Sequence, residues 1–354
     1  MSYSLIGKEH ISEPTIIRLK HLAEKIVIVD GQPGCGKTMF STIISAMDRV
    51  EMLTYAFEIE FVCRLFHLKK MKKDAAIAMV RMFTDHKLYQ MMMSRETNFR
   101  YSDLSSVFKA ADPWRYLKRI FQEGDMVIPE RIKNQNPILS LTTHDLLSVS
   151  KPVFEGLENR VVFIEIVRHP LYMLIQQTLN YERLLSDPRD VQINIKHGDD
   201  ELPYYAYQWE KLFISCNAVE RAIYTMDNTI RLTNKTKMEM RKNFKNNIIT
   251  IPFEKFVLDP LTFMKKIELL LETNITSLTK KIMKKQKVPR KKISDGIPLD
   301  IYKRCGWEPP EKLLSEKQEL AKRRKFAVDN GASKQSLEVL DRLGEDYENI
   351  FSVF

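Results

Sequence analysis

The chain has 354 residues, 44% of them apolar, and a formal net charge of +10. That apolar share excludes an intrinsically disordered chain, and no apolar run reaches the roughly 18 residues of a membrane span. The opening MSYSLIGKEHISEP lacks a secretory core, and Cys35, Cys63, Cys216 and Cys305 follow no metal-ligand spacing, so the chain reads as a cytoplasmic protein with reduced thiols.

Residues before Leu22 read as an N-terminal arm. Lys25 to Phe40, KIVIVDGQPGCGKTMF, then organises the rest. Ile26 to Val29 predicts a strand, and Gly31, Gly36, Lys37 and Thr38 match G-x-x-x-x-G-K-[ST] between that strand and a helix. Such a loop turns its N–H groups onto a phosphate, and glycine at Gly31, Gly34 and Gly36 keeps the path clear. The following helix adds the positive end of its dipole. Lys37 brings a cation, and Thr38 a hydroxyl for a phosphate oxygen or magnesium. A plain glycine-rich turn is the alternative reading.

The helix after the loop is predicted over Lys37 to Val50. Glu51 to Met93 reads as mostly helical, Ser94 to Asp103 as a polar loop or helix start, and Pro113 to Gln122 as a further helix. Pro137 to His144, PILSLTTH, predicts a short strand breaking into a polar turn. After a brief helix at Pro152 to Leu157, Arg160 to Val167, RVVFIEIV, predicts a strand ending at Arg168-His169-Pro170. Leu171 to Leu185 is helical, Ser186 to Pro203 an exposed insertion, and Tyr204 to Met240 helical again, with Trp209 and Phe213 buried. Asn247 to Phe253 is another strand, followed by a helix over Pro260 to Leu271. The remainder is helical and charged, interrupted around Val288 to Pro310, with final helices over about Leu313 to Asp329 and Ser333 to Ile350.

Strands alternating with helices predict an α/β fold: a three-layer P-loop NTPase-like parallel sheet flanked by helices, with additional helical segments. The α/β domain is expected over residues 1–275, with a helical insertion at about 51–135, and a basic helical extension over 276–354. Ligands of such sheets bind at the carboxyl ends of the strands. That rule selects the loop from Gly31 to Thr38, His144 and Arg168. Lys280 to Lys292 carries eight Lys or Arg and no acid. It reads as a nucleic-acid contact, as a contact to a smaller polyanion, or as a solvated face; no aromatic residue interrupts it and no nucleic-acid module accompanies it, which points away from nucleic acid.

An ATP-dependent kinase or ATPase adds a carboxylate on a neighbouring strand to hold magnesium. Glu165 occupies such a strand, but in its middle, and the strand ends in Arg168. Ile164 to Leu174, IEIVRHPLYML, resembles the segment of the sulfotransferase family in which a strand ends in Arg-x-Pro and turns into a helix. Ile251 to Pro260, IPFEKFVLDP, is similar to the family's strand, glutamate and Asp-Pro helix. Leu141 to Asp145, LTTHD, lies where many members carry Thr-His. The resemblance covers roughly residues 25 to 48 and 137 to 272.

The resemblance implies a co-substrate, 3′-phosphoadenosine 5′-phosphosulfate, and transfer of its sulfuryl group to a hydroxyl or amine of a small-molecule or carbohydrate acceptor. Gly34, Cys35, Gly36, Lys37 and Thr38 would hold the 5′-phosphosulfate, with Lys37 relieving charge on the leaving phosphate. Arg168 would bind the 3′-phosphate. His144 would be the base, since imidazole titrates near neutrality; the alternative is a cap on its turn. No metal ligand is assigned. The chain departs from the family in the Lys-Thr ending of the loop, in Gln176 where a serine usually supplies the second 3′-phosphate ligand, and in Thr142 where a lysine is common. Arg290-Lys291-Lys292 with Gly296 loosely matches the family's basic closing loop. An ATP–magnesium enzyme and a nucleotide-binding protein without turnover are the other readings.

Overall fold

The structure, a computed structural model, describes residues 13–184, 186, 191–244, 247–293 and 314–352. In chain order it places β1 (Lys25–Asp30), α1 (Lys37–Ile44), β2 (Thr54–Tyr55), α2 (Phe57–His67), α3 (Lys73–Met93), α4 (Pro113–Arg119), α5 (Ile128–Gln135) and β3 (Ile138–Thr142). There follow α6 (Lys151–Leu157), β4 (Val161–Val167), α7 (Pro170–Glu182), the strands β5 (Asn194–His197) and β6 (Asp200–Pro203), α8 (Glu210–Ser215), α9 (Ala218–Phe244) and β7 (Ile248–Pro252). The remaining helices are α10 (Phe253–Leu258), α11 (Pro260–Leu271), α12 (Ser277–Lys285), α13 (Glu316–Asp329) and α14 (Lys334–Phe351).

The main sheet is parallel, in the order β2-β3-β1-β4-β7. Successive side chains on a strand point to opposite faces, and here both faces are covered. Val27 and Val29 of β1 and Val162, Ile164 and Ile166 of β4 pack with α1, α7, α9 and α10 to α12. Ile26, Ile28, Val161 and Phe163 pack with α2, α3, α5 and α6. Burial on both faces is why β1 reads as an unbroken apolar run from Ile26 to Val29 and β4 as one interrupted only by Glu165. Ala327 of α13 and Leu340 and Leu343 of α14 join the first of these cores, so the last helices close over α7 and α9. Among the described residues no helix is long and apolar enough to cross a membrane.

Two expectations are corrected, and the insertion, exposed over most of its described residues, gains a local structure. The segment from Glu51 does not enter a helix at once: Thr54 and Tyr55 pair with Leu141 and Thr142 as a fifth parallel strand before α2 begins. Two residues carry too little pattern to read. Tyr204 to Met240 is not one helix. Asn217 starts α9 afresh, its side chain accepting from Glu220 N (3.0 Å) while its own N–H donates to Glu220 Oε2 (3.3 Å), a reciprocal cap. The insertion before Pro203 contains an antiparallel hairpin of β5 and β6, with Gly198 at φ +62° in its turn and Leu202 buried.

Candidate functional site

The loop between β1 and α1 sits at the carboxyl end of the sheet, and its carbonyls are held from three sides. Lys37 Nζ donates to Gly31 O at 2.8 Å. Gln177 Nε2 donates to Pro33 O and to Gln32 Oε1, both at 3.2 Å. Arg168 Nη1 donates to Gly34 O at 2.8 Å. The Cys35 N–H donates to Gln32 O at 3.1 Å, so Cys35, selected from the sequence for the anion, does not offer its amide; with these carbonyls occupied, the other amides of the loop are left for an anion. Two glycines are dictated by close approach. A methyl at Gly31 would lie 2.4 Å from Ile166 O, and one at Gly36, whose φ is +95°, would lie 2.4 Å from the Phe253 ring. Cys35 is buried beneath the loop, and burial pushes its thiol up to about 11.

Arg168 leaves the end of β4 and lies over two rings, 4.5 Å from the centroid of Phe253 and 5.1 Å from that of Tyr172. Its Nε is buried without a hydrogen-bond partner, 3.9 Å from Glu254 Oε1. Arg290 lies over the same Phe253 ring, 5.4 Å from its centroid, and donates to Ile293 O at 2.9 Å. Two guanidiniums therefore flank a ring that touches Gly36. Glu254 is fully buried; it accepts from His169 N at 3.2 Å and from the Tyr347 hydroxyl at 2.5 Å. Burial raises its pKa, against the pull of Arg168. Gln176 Oε1 borders the loop, 3.2 Å from where a methyl on Gly34 would be.

A cavity of about 1030 Å³ opens beside Gln32 and Pro33. His144 and Asp145 line its loop end; Tyr181, Tyr204, Tyr205 and Trp209 line it further out. The turn carrying His144 is anchored by Asp30, whose carboxylate accepts from Thr143 Oγ1 (2.8 Å), Leu146 N (3.1 Å) and Leu147 N (2.9 Å). The His144 ring packs against Tyr55 and Phe57 at centroid distances of 5.8 and 5.7 Å, and those two rings are 5.8 Å from each other. Its Nδ1 lies 3.0 Å from Glu60 Oε1, which also accepts the His144 N–H at 2.9 Å. A carboxylate can only accept, so this bond puts the hydrogen on Nδ1 and leaves Nε2 as the acceptor. Glu60 Oε2 is taken by Arg64 Nη2 at 2.7 Å.

No protein-family model and no curated protein matches the chain. Solved structures of similar shape include the sulfotransferase domain of the olefin synthase from Synechococcus PCC 7002, at 11% identity and a TM-score of 0.43, over 91% of this chain and 95% of that one. Mouse sulfotransferase SULT7A1, solved in complex with PAP, is 12% identical with a TM-score of 0.34, over 92% of this chain and 90% of that one. Sulfotransferase STF9 from Mycobacterium avium is 12% identical with a TM-score of 0.42, over 95% of this chain and 78% of that one.

The residues selected from the sequence thus meet at one sheet edge: the loop, Arg168 and Gln176 on one side, His144 on the other. Glu165 stands apart. Its carboxylate accepts from Lys237 Nζ (2.7 Å) and Thr250 Oγ1 (2.5 Å), so it is tied across the sheet. Arg168 pairs with Glu254 and not with Glu165; Asp187, the other acid considered for it, lies outside the described residues, as do Gly296, Cys305 and Trp307. Trp209 is only half-buried and lines the cavity, unlike the fully buried Phe213. Along the basic run, Lys280, Lys281, Lys284 and Lys285 are exposed on α12 while Met283 is buried, a solvated helix face. Sequence reasoning missed Gln177, Glu60 and Asp145. The only available signals were the Glu60–Arg64 spacing of four on a helix and the adjacency of Asp145 to His144.

Proposed function

We propose that the chain is a sulfotransferase that moves a sulfuryl group from 3′-phosphoadenosine 5′-phosphosulfate to a hydroxyl or amine. The observation carrying this reading is the pairing of a phosphate loop with a guanidinium, Arg168, that touches the loop and keeps a buried Nε without a hydrogen-bond partner. A second anionic group beside the loop suits that arrangement, and Arg290 across the Phe253 ring adds a second cation. The strand carboxylate that a magnesium-dependent enzyme would need is Glu165, which is held by Lys237.

In this reading the amides of Gly34, Gly36, Lys37 and Thr38 hold the 5′-phosphosulfate, and Arg168, with Arg290 and Gln176 nearby, holds the 3′-phosphate. A planar fork of donors suits phosphate oxygens. The co-substrate supplies the sulfuryl group already activated by its phosphate. Lys37, released from Gly31 O, stabilises charge on the departing oxygen; a preorganised donor of this kind is worth about 3–4 kcal/mol. The acceptor enters by the cavity lined by His144 and Asp145. His144 can serve as the base through Nε2 or hold the turn through its bond to Glu60.

Calorimetry with adenosine 3′,5′-bisphosphate and with ATP–magnesium tests the proposal. The bisphosphate is expected to bind the wild type and to bind Lys37→Ala and Arg168→Ala at least about tenfold more weakly. Tight ATP–magnesium binding with no bisphosphate binding would replace this reading with a kinase or ATPase.

A further inference from the structure

Among the described residues, Asp145 is the one acid lining the cavity that has no assigned work. Asp30 is consumed by Thr143, Leu146 and Leu147, and Glu60 by His144 and Arg64. Asp145 lines the cavity, yet its Oδ1 is buried and has no hydrogen-bond partner. The backbone at Asp145 takes the left-handed conformation, φ +55°, which non-glycine residues adopt seldom. The neighbouring His144 is by comparison tied through Nδ1 to Glu60 and stacked against Tyr55 and Phe57, with Nε2 alone left as an acceptor.

We infer that Asp145, rather than His144, takes the proton from the acceptor, with His144 and Glu60 acting to hold the turn. The inference rests on the sulfotransferase reading above. The acceptor's O–H bond breaks as its proton passes to the Asp145 carboxylate. The oxygen lone pair so released forms the new S–O bond. The S–O bond to the 5′-phosphate breaks, and its electron pair stays on the phosphate oxygen beside Lys37. Asp145, now a neutral acid, returns its proton to solvent through the cavity.

The electrostatics agree with this role. Burial pushes the Asp145 carboxyl up to about 7; Lys37 and Arg64 pull it down, and Asp30 and Glu60 push it up. The other ionisable groups facing it are the Cys35 thiol and the hydroxyls of Tyr181, Tyr204 and Tyr205, which it raises in turn, though burial is the larger cause at each. A base with a proton affinity near the working pH gives the best product of ionised fraction and driving force.

The experiment uses the full chain with 3′-phosphoadenosine 5′-phosphosulfate, reading release of the bisphosphate with water and with 2-naphthol as acceptors, from pH 5.5 to 9, the range being about two units either side of neutrality. The variants are Asp145→Asn, which keeps the shape, Asp145→Glu and His144→Gln, with bisphosphate binding measured for each. The wild-type rate is expected to rise with pH through an inflection near 7. Asp145→Asn should lose that inflection and fall by about 10²–10⁴-fold in kcat, with bisphosphate affinity kept. Asp145→Glu should restore part of the rate, and His144→Gln should keep the inflection. An inflection lost in His144→Gln and kept in Asp145→Asn overturns the inference. So does a wild type that binds the bisphosphate but turns over neither acceptor. A wild type that does not bind the bisphosphate removes the sulfotransferase reading itself.

Discussion

Arg168 Nη1 donates to the carbonyl of Gly34 at 2.8 Å, joining the end of β4 to the middle of the phosphate loop. The same guanidinium lies over Phe253 and faces Glu254, so one side chain couples the loop to the start of α10. A lysine has neither the planar fork nor the stacking surface to replace it. Arg168→Lys is therefore expected to weaken bisphosphate binding about tenfold or more, nearly as much as Arg168→Ala. Calorimetry on the two variants side by side decides this. Full retention of affinity in the lysine variant would mean that charge alone is used.

Gly36 permits no side chain, both for its φ of +95° and for the Phe253 ring where a methyl would go. Gly36→Ala should destabilise the chain by about 1–3 kcal/mol and weaken nucleotide binding, since the loop must shift. Adding Phe253→Leu should relieve the steric part and leave the backbone part. Denaturant unfolding of the single and double variants separates the two; equal stabilities would show that the ring is not the obstacle.

Away from the site, Glu51 is fully buried against Arg119, whose Nη1 and Nη2 donate to its two oxygens at 2.7 and 2.9 Å. Arg119→Ala should lower stability, by less than the about 3–5 kcal/mol of a fully stranded buried charge, because Arg115 remains 3.3 Å from Glu51 Oε1. Replacing both partners by apolar residues should be far milder. Burial works to raise the Glu51 pKa, but Arg119 and Arg115 outweigh it and hold the group below its ordinary value of 4.5. The pair's contribution is thus present above that pH and is lost as the pH falls through the depressed folded value. Thermal melts of wild type and Arg119→Ala should converge as the pH is lowered below 4.5.

The opposite sign applies to Asp145. Its folded pKa, pushed by burial to about 7, stands above the ordinary 3.8, so the folded state binds the proton more tightly than the unfolded one. Stability from this group falls as the pH rises from 3.8 to about 7 and then levels. The melting temperature of Asp145→Asn, relative to wild type, should therefore climb across that window. A difference that stays flat with pH would show that the carboxyl is solvated like any surface acid.

The loop was legible because its chemistry is written in backbone demands: glycine where a methyl would strike Ile166 or Phe253, and a lysine and a threonine at the start of the helix. The central strands were legible because burial on both faces favours apolar residues, with Ser140, Thr142 and Glu165 as the partnered exceptions. Arg168 and His144 were found through their place at strand ends. What escaped depends on distant parts of the chain. Thr54 and Tyr55 become a strand only because Leu141 and Thr142 lie alongside. Glu60 meets His144, 84 positions later, only after α2 has packed on the sheet. Gln177 matters because its side chain on α7 reaches the carbonyl of Pro33, 144 positions earlier. Asp145 is set apart from the other acids of the site by having no partner, which no local pattern records.

Glu254 steadies Arg168, and Tyr347 on the last described helix steadies Glu254. The beginning and the end of the fold are therefore fastened by a single relay of phenol, acid and guanidinium. A fragment cut before Lys334 would leave that acid buried with its hydroxyl missing, and the slack would surface at Gly34, on the far side of the sequence. Residues 334–351 act as the keystone of a loop that closes three hundred positions earlier.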